Sequence, residues 1–393
     1  MQLTWVLDVL LVLVLLASLI YGYRHGLIYT VISTVGLVLG GFLAVLAIPL
    51  ITAWVPAPEW RGPATLAAAV LLVVGGFSLG ATVGRVFGRR VDRGPLRLID
   101  RLVGAVINTV VAALVASMVA ISLTSMGAPF LAQPVASSAV LSTIDRLSPD
   151  PVKAVMARLR SIVLQDGIPR IVDAFTGTIP AVPDLDTATA PLAAAASSVV
   201  RITGNAFACG QNQSGTGFVI AEDRILTNAH VVAGVNEPVV ETLRDGTRVG
   251  RIVYFDAVDD LAIIAVDNLP TVPLAFTADL PEGTDAVVSG YPFGGPFSSH
   301  PARVVDVGTV NVPDIYSNNA TGRDVYTLAA DVQQGESGGP LLSQDGLVAG
   351  VIFAKGATSP DVGYAMTRNE AGPVVAQAPG LTAAVESGQC IRG

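Results

Sequence analysis

Four apolar stretches, at residues 3–21, 27–55, 64–87 and 102–126, fill the first third of this 393-residue chain. Each reaches the ~20 residues that a helix needs to cross a ~30 Å hydrocarbon core. One such stretch can be a buried core helix, but four in succession predict a four-span membrane domain over residues 1–126. The first stretch is read as a retained span rather than a signal peptide. Residues 1–5 carry no Lys or Arg, and no small-residue cleavage site follows.

Arginines set the orientation. Arg85, Arg89, Arg90, Arg93, Arg97 and Arg101 lie between the third and fourth stretches, and Arg24 and His25 lie between the first and second. Short loops rich in Lys and Arg stay in the cytoplasm, whereas the loop at 54–63 balances Glu59 against Arg61. Both termini are therefore expected outside the cytoplasm, and everything after residue 126 is exported. Asp8 sits at the edge of the first span, where an acid is either functional or solvated at the interface. Gly36 and Gly40, and Gly76, Gly80 and Gly84, recur every four residues, the spacing that lets helices approach closely.

Charge divides the chain at the same place. Residues 1–126 hold eight Arg against four acids, a net of +4; residues 127–393 hold 15 basic against 27 acidic residues, a net of −12. Nowhere is there the basic surplus that phosphate neutralisation requires, so nucleic acid is excluded as a partner. Residues 127–195 read as a linker rich in Pro, Ala, Ser and Thr, with eight prolines. Spacing within 152–175 fits one or two amphipathic helices broken at Pro169. After residue 179 the sequence reads as an extended or flexible tether, open to proteolytic nicking.

Residues 196–393 change texture again. Short β-branched runs at 198–203, 217–220, 224–228, 239–243, 286–289, 304–312, 325–329 and 347–353 are punctuated by Gly, Asn and Asp. They predict an all-β domain long enough for two six-stranded barrels. Three motifs carry its chemistry. Thr227-Asn-Ala-His230-Val-Val ends a strand, Asp256-Ala-Val-Asp-Asp260-Leu-Ala follows thirty residues later, and Gly335-Glu-Ser337-Gly-Gly-Pro precedes a strand. A serine is a poor nucleophile without an adjacent base, and the base needs an orienting carboxylate. The order His, Asp, Ser is that of chymotrypsin-like double barrels.

His230, Asp260 and Ser337 are the expected catalytic residues. Among Asp256, Asp259 and Asp260, the last is favoured because it directly precedes the apolar run 261–266 and can face the interior. The N–H groups of Gly335 and Ser337 are expected to form the oxyanion hole, since Gly335 can adopt the turn that such a hole needs. The general base must be neutral before attack, and imidazole ordinarily titrates near 6.5, so activity is expected to fall at mildly acid pH. Cys209 and Cys390 are the two cysteines. An even pair in an oxidising compartment favours a disulfide over two free thiols. Closing a loop of that length is worth about 5 kcal/mol in the chain-entropy account. No metal or cofactor is expected.

Several of these features carry family resemblances. Asp8, Tyr23-Arg24-His25-Gly26, and Ile99-Asp100-Arg101 with Gly104 resemble the CvpA (colicin V production) membrane proteins. Ser214-Gly-Thr-Gly-Phe, Asn228-Ala-His230, Asp260-Leu-Ala-Ile-Ile, Gly290-Tyr-Pro-Phe-Gly and Gly335-Glu-Ser337-Gly-Gly-Pro resemble the trypsin/HtrA serine proteases. Glu336 departs from the Asn usual in HtrA enzymes and is nearer the Asp of secreted trypsin-like ones, and no PDZ domain is expected after the barrel. The fusion of both parts resembles the MarP family of acid-resistance periplasmic serine proteases. That likeness implies peptide or protein substrates in the periplasm, contact with membrane lipid, and a role in surviving acid and oxidative stress. It also places Asp331 where trypsin-like enzymes carry the acid of their primary specificity pocket, bordered by Gln334 and by Phe353 in the strand 351–354. The rival expectation is a CvpA-like membrane channel or scaffold, with the barrel acting as a binding module.

Overall fold

The computed structural model describes residues 2–54, 58–91, 97–124, 135, 138–149, 151–152, 155, 168–171, 177, 179–206 and 211–391. The chain divides into two units, Met1–Val119 with Ser138–Arg146, and Ala120–Ser137 with Leu147–Gly393.

The first unit is built on three long helices, α1 (Gln2–Trp54), α2 (Pro58–Val91) and α3 (Arg97–Thr124), plus a short α4 (Ala139–Leu147). Their segments Trp5–Ala44, Ala67–Phe87 and Arg97–Ser117 are long and apolar enough to cross a membrane. Leu13, Leu39, Phe42 and Leu71 stand more than half exposed on these helices, a surface that suits lipid rather than water. Where the sequence predicts separate spans at 3–21 and 27–55, the structure places both in α1, with a kink at Gly26 between them, so the long apolar helices among the described residues number three. Gly26 is the one residue of α1 outside helical geometry (φ 81°, ψ 174°). A Cβ on Gly26 would lie 1.9 Å from the Asp100 carboxylate of α3. That carboxylate accepts the Ile28 N–H at 3.4 Å, answering a donor that the break sets free.

Glycines draw these helices together. A Cβ on Gly36 would meet the Gly76 carbonyl at 2.3 Å, and one on Gly40 the Leu72 carbonyl at 2.4 Å. Asp8 is a helix cap: its carboxylate accepts from Ser138 Oγ (2.5 Å), Ala139 N (3.2 Å) and Val140 N (3.4 Å) at the start of α4.

The second unit holds two seven-stranded sheets. The first comprises β2 (Val199–Ala206), β3 (Gln211–Ala221), β4 (Arg224–Thr227), β5 (Val239–Thr242), β6 (Gly246–Val249), β7 (Arg251–Asp256) and β8 (Leu261–Ala265), in the order β6-β5-β2-β3-β4-β8-β7. The second comprises β1 (Arg170–Ile171), β9 (Asp285–Gly290), β10 (Ser298–Pro313), β11 (Ala320–Ala329), β12 (Pro340–Leu342), β13 (Val348–Gly356) and β14 (Val362–Thr367). Its order is β1-β13-β12-β9-β10-β11-β14, and β13 also pairs with β14, closing the sheet on itself.

The apolar runs are explained by where their alternate side chains go. Leu261, Ile263 and Ala265 of β8 join a core shared by both sheets, with Phe218, Leu226, Phe353 and Tyr364. Ala262 and Ile264 point into the interior of the first sheet beside Val200, Ile202 and Ile225. A strand buried on both faces reads as a continuous apolar run rather than an alternation. Val288, Leu328, Leu341 and Ile352 fill the interior of the second sheet. The unit is thus a chymotrypsin-like pair of curled sheets.

The linker is less free than its composition suggests. Residues read as amphipathic helix around Pro169 include the strand β1, and a helix α5 (Ala190–Ala196) buries Leu192 and Ala195 in the shared core. The remainder of 152–167 lies almost wholly outside the described residues.

Candidate active site

Local sequence delivers the candidate base and its partner to one spot. β4 ends at Thr227, and a single turn α6 (Ala229–Val232) begins, burying His230. Across the sheet, Asp260 sits at the entry to β8 with φ 56°, a left-handed backbone that an Asp tolerates better than most residues. That conformation turns its carboxylate onto His230 twice. His230 Nδ1 is 2.7 Å from Asp260 Oδ2, and the His230 backbone N–H donates to Oδ1 at 2.9 Å. Asn228 Nδ2 holds the Asp260 carbonyl at 2.9 Å. Asp256 instead accepts the N–H groups of Val258 and Asp259, shaping the turn. Burial and the neighbouring Asp256 push the Asp259 carboxyl up. Held through Nδ1, the imidazole keeps Nε2 for other work. Nε2 is buried and has no hydrogen-bond partner among the described residues.

Ser337 is buried, in a turn that glycines make possible. Gly335 has φ 92° and Gly338 φ 82°, a region that side chains disfavour. A Cβ on Gly338 would lie 2.2 Å from the Thr216 carbonyl and 2.3 Å from Thr227 Oγ1. Thr216, in the Gly-Thr-Gly run of β3, stitches this turn to the first sheet. Its N–H donates to the Ser337 carbonyl (2.8 Å), and its Oγ1 donates to the Gly335 carbonyl (2.6 Å) and accepts from Tyr291 N (3.0 Å). Nothing in the sequence singled out Thr216 for this part. Its place between two glycines was the available signal.

Glu336 is fully buried beside Ser337. Its Oε2 accepts the Gln333 N–H at 2.7 Å, while its own N–H donates to the Gln333 carbonyl at 3.1 Å, so the turn is tied to itself. Oε1 faces His300 Nδ1 at 3.4 Å. Burial pushes the Glu336 carboxyl up to about 8, and burial pushes His300 down from its usual range. At neutral pH the two therefore meet as an uncharged acid and an uncharged imidazole. Sequence reading left His300 in a polar loop. The register of β10 on β9, with His300 opposite Val288, brings it here.

A Cβ on Gly338 would also meet the Asn228 backbone nitrogen at 3.0 Å, so the turn of Ser337 adjoins the segment that carries His230. Sequence comparisons agree in both halves of the chain. The trypsin-like peptidase domain matches residues 215–351, and the colicin V production protein family matches residues 7–149. Serine protease Rv3671c of Mycobacterium tuberculosis (strain ATCC 25618 / H37Rv) is 38% identical over 397 residues, 98% of each chain. The chain belongs to the MarP family of serine proteases.

For this MarP-family enzyme, a crystal structure of the Rv3671c protease in its active form covers 56% of the chain and 100% of that structure. Its identity is 39% and its TM-score 0.52. A probable periplasmic DegP-like endoprotease of Halomonas elongata is 39% identical over 145 residues, 35% of this chain and 28% of that relative. The MarP-family chain is accordingly a serine endopeptidase joined to a CvpA-type domain of apolar helices.

The three residues expected at the specificity pocket have different surroundings. Asp331 is exposed, accepts a hydrogen bond from Gln333 Nε2, and lines a cavity of about 500 Å³ with His300, Glu336, Phe293 and Phe297. Phe353 is buried in the shared core beneath the Arg323 guanidinium, 5.9 Å from its ring centroid. Gln334 is half-buried in the turn before Gly335, and its carbonyl accepts the Phe293 N–H. Cys390 is disulfide-bonded; Cys209 lies outside the described residues. No cluster of His, Cys, Asp or Glu suited to a metal ion occurs among the described residues.

Proposed function

We propose that Ser337 is the nucleophile, His230 the general base and Asp260 the group that orients it. Ser337 Oγ attacks the peptide carbonyl as His230 Nε2 takes its proton. The same imidazolium then delivers that proton to the departing amine, leaving an acyl-enzyme. Water repeats the sequence: His230 removes its proton, the ester bond to Ser337 breaks, and Ser337 regains its proton. The N–H groups of Gly335 and Ser337 stabilise the oxyanion in each half. The two-point grip of Asp260 on a buried His230, with the glycine turn of Ser337 packed against the neighbouring Asn228 backbone, carries this reading.

The proposal extends to placement. Gly26 splits α1 into two halves of span length, so α1 supplies two crossings and the membrane domain four. Arginine-rich segments hold the cytoplasmic side, which puts the protease on the periplasmic face. Cys209 is the partner of Cys390 and ties the C-terminal tail to the first sheet. A role in acid and oxidative stress follows from the family likeness alone. Purified full-length enzyme is expected to hydrolyse peptide substrates, with loss of kcat in Ser337→Ala. Equal turnover by the Ser337→Ala protein would overturn the assignment and favour the channel or scaffold reading.

A further inference from the structure

Between β7 and β8 a short turn over residues 256–260 brings Asp260 to His230. From within the turn, Asp256 accepts the N–H groups of Val258 (2.8 Å) and Asp259 (3.1 Å). The carbonyls of the turn are held from the other sheet. Ile315 N, in the hairpin between β10 and β11, donates to the Ala257 carbonyl at 3.1 Å. Arg323 Nη2, on β11, donates to the Val258 carbonyl, two residues before Asp260, and to the Pro313 carbonyl at 3.2 Å.

Arg323 is a costly residue for such a task. It is 1% exposed, and its buried Nε has no hydrogen-bond partner among the described residues. Taking a guanidinium out of water is expensive, and two carbonyls and an aromatic face offset that only in part. A buried charge is weak evidence for stability; the arrangement it specifies is the better reason for it.

That arrangement reaches both arms of the site. On one side the guanidinium fixes the turn of Asp260. On the other it lies over the Phe353 ring, 5.9 Å from its centroid. The neighbouring Ile352 accepts from Gly338 N (2.7 Å) and donates to the Gly339 carbonyl (2.8 Å), in the turn of Ser337. We propose that Arg323 is a positioning residue for peptide hydrolysis, setting the Asp260 turn of the first sheet against the Ser337 turn of the second. The inference rests on the proposed roles of His230, Asp260 and Ser337. Arg323 touches none of the reacting atoms and acts through Asp260. Without it, the carboxylate that orients His230 sits on a turn free to drift, and a misplacement of about 1 Å costs about 10²-fold in rate.

The test is a double-mutant cycle on full-length protein in detergent, with Arg323→Met, Asp260→Asn and the pair assayed on a fluorogenic peptide. Arg323→Met is expected to lower kcat about 10²-fold with KM unchanged, on a protein that still melts cooperatively. The same change on Asp260→Asn is expected to cost about threefold or less, because the carboxylate it positions is already gone. A merely structural role would cost the same in both backgrounds. Arg323→Lys repeats the cycle should Arg323→Met fail to fold. It keeps the charge but not the planar fork, and is expected to lose about tenfold on wild type and nothing further on Asp260→Asn. Wild-type kcat in the Arg323 variants, or equal losses with and without Asp260→Asn, would overturn the proposal. Asp260→Asn by itself keeps the two levels apart. If it collapses kcat while the Arg323 variants match wild type, the part given to Arg323 falls alone. If it leaves kcat unchanged, the assignment of Asp260 falls and takes the proposal with it.

Discussion

The two sheets of the protease unit contribute unequally to its site. The first sheet holds an anchored imidazole: His230 and Asp260 share two hydrogen bonds, and Asn228 fixes the Asp260 backbone. The second carries Ser337 on a turn that two glycines make possible. Those glycines sit in the left-handed region, and a fully buried carboxyl faces a half-buried imidazole. Buried polar groups with full partners rigidify a site, and those with few make it sensitive to conditions. On the proposed roles, orientation of the base is built in, whereas the geometry of the serine turn is where activity can be adjusted.

The sharpest way to break this contrast is Asp260→Asn. If the first sheet contributes orientation, kcat should fall about 10⁴-fold, as the same change does in a chymotrypsin-type triad, while the melting curve stays cooperative. A tenfold loss or less would mean that His230 is oriented by something else. Next in size is Gly338→Ala. A Cβ there meets the Thr216 carbonyl at 2.2 Å with φ at 82°, and about 4 kcal/mol of stability should be lost by denaturant midpoint. A change under about 1 kcal/mol would show that the turn relaxes freely.

Glu336→Gln is the smallest of the three and isolates the buried acid. The unfolded carboxyl titrates near 4.5, and the folded one near 8. Between those values the folded state keeps a proton that the unfolded state has lost, so unfolding free energy should fall as pH rises. The expected drop is about 2 kcal/mol from pH 6 to 8. His300 works in the opposite sense, because its depressed value makes the folded state lose ground as pH falls below the usual imidazole range. Glu336→Gln should abolish the alkaline slope and leave the acid one. An unchanged slope in chemical denaturation across pH 6–8 would remove Glu336 from this account.

How legible each part was follows from how local its signal is. The apolar helices and the segments around His230 and Ser337 are contiguous runs, in which residue type and spacing carry the physics. Asp260 was reachable because it abuts a run buried on both faces. His300 was not, since only the pairing of β10 on β9 sets it against Glu336. Asp8 caps a helix 130 residues further along the chain, and Asp100 answers the break at Gly26. Both are pairings between distant segments that no local pattern encodes. β1 is two residues long, too short for any periodicity to announce it, and the apolar spacing around it read as a broken amphipathic helix.

The central claim is an activated Ser337. Full-length enzyme treated with a fluorophosphonate and digested for tandem mass spectrometry should carry a single adduct, on Ser337, at a rate that collapses in His230→Ala. An adduct on another serine, or none on a protein that melts cooperatively, would contradict it.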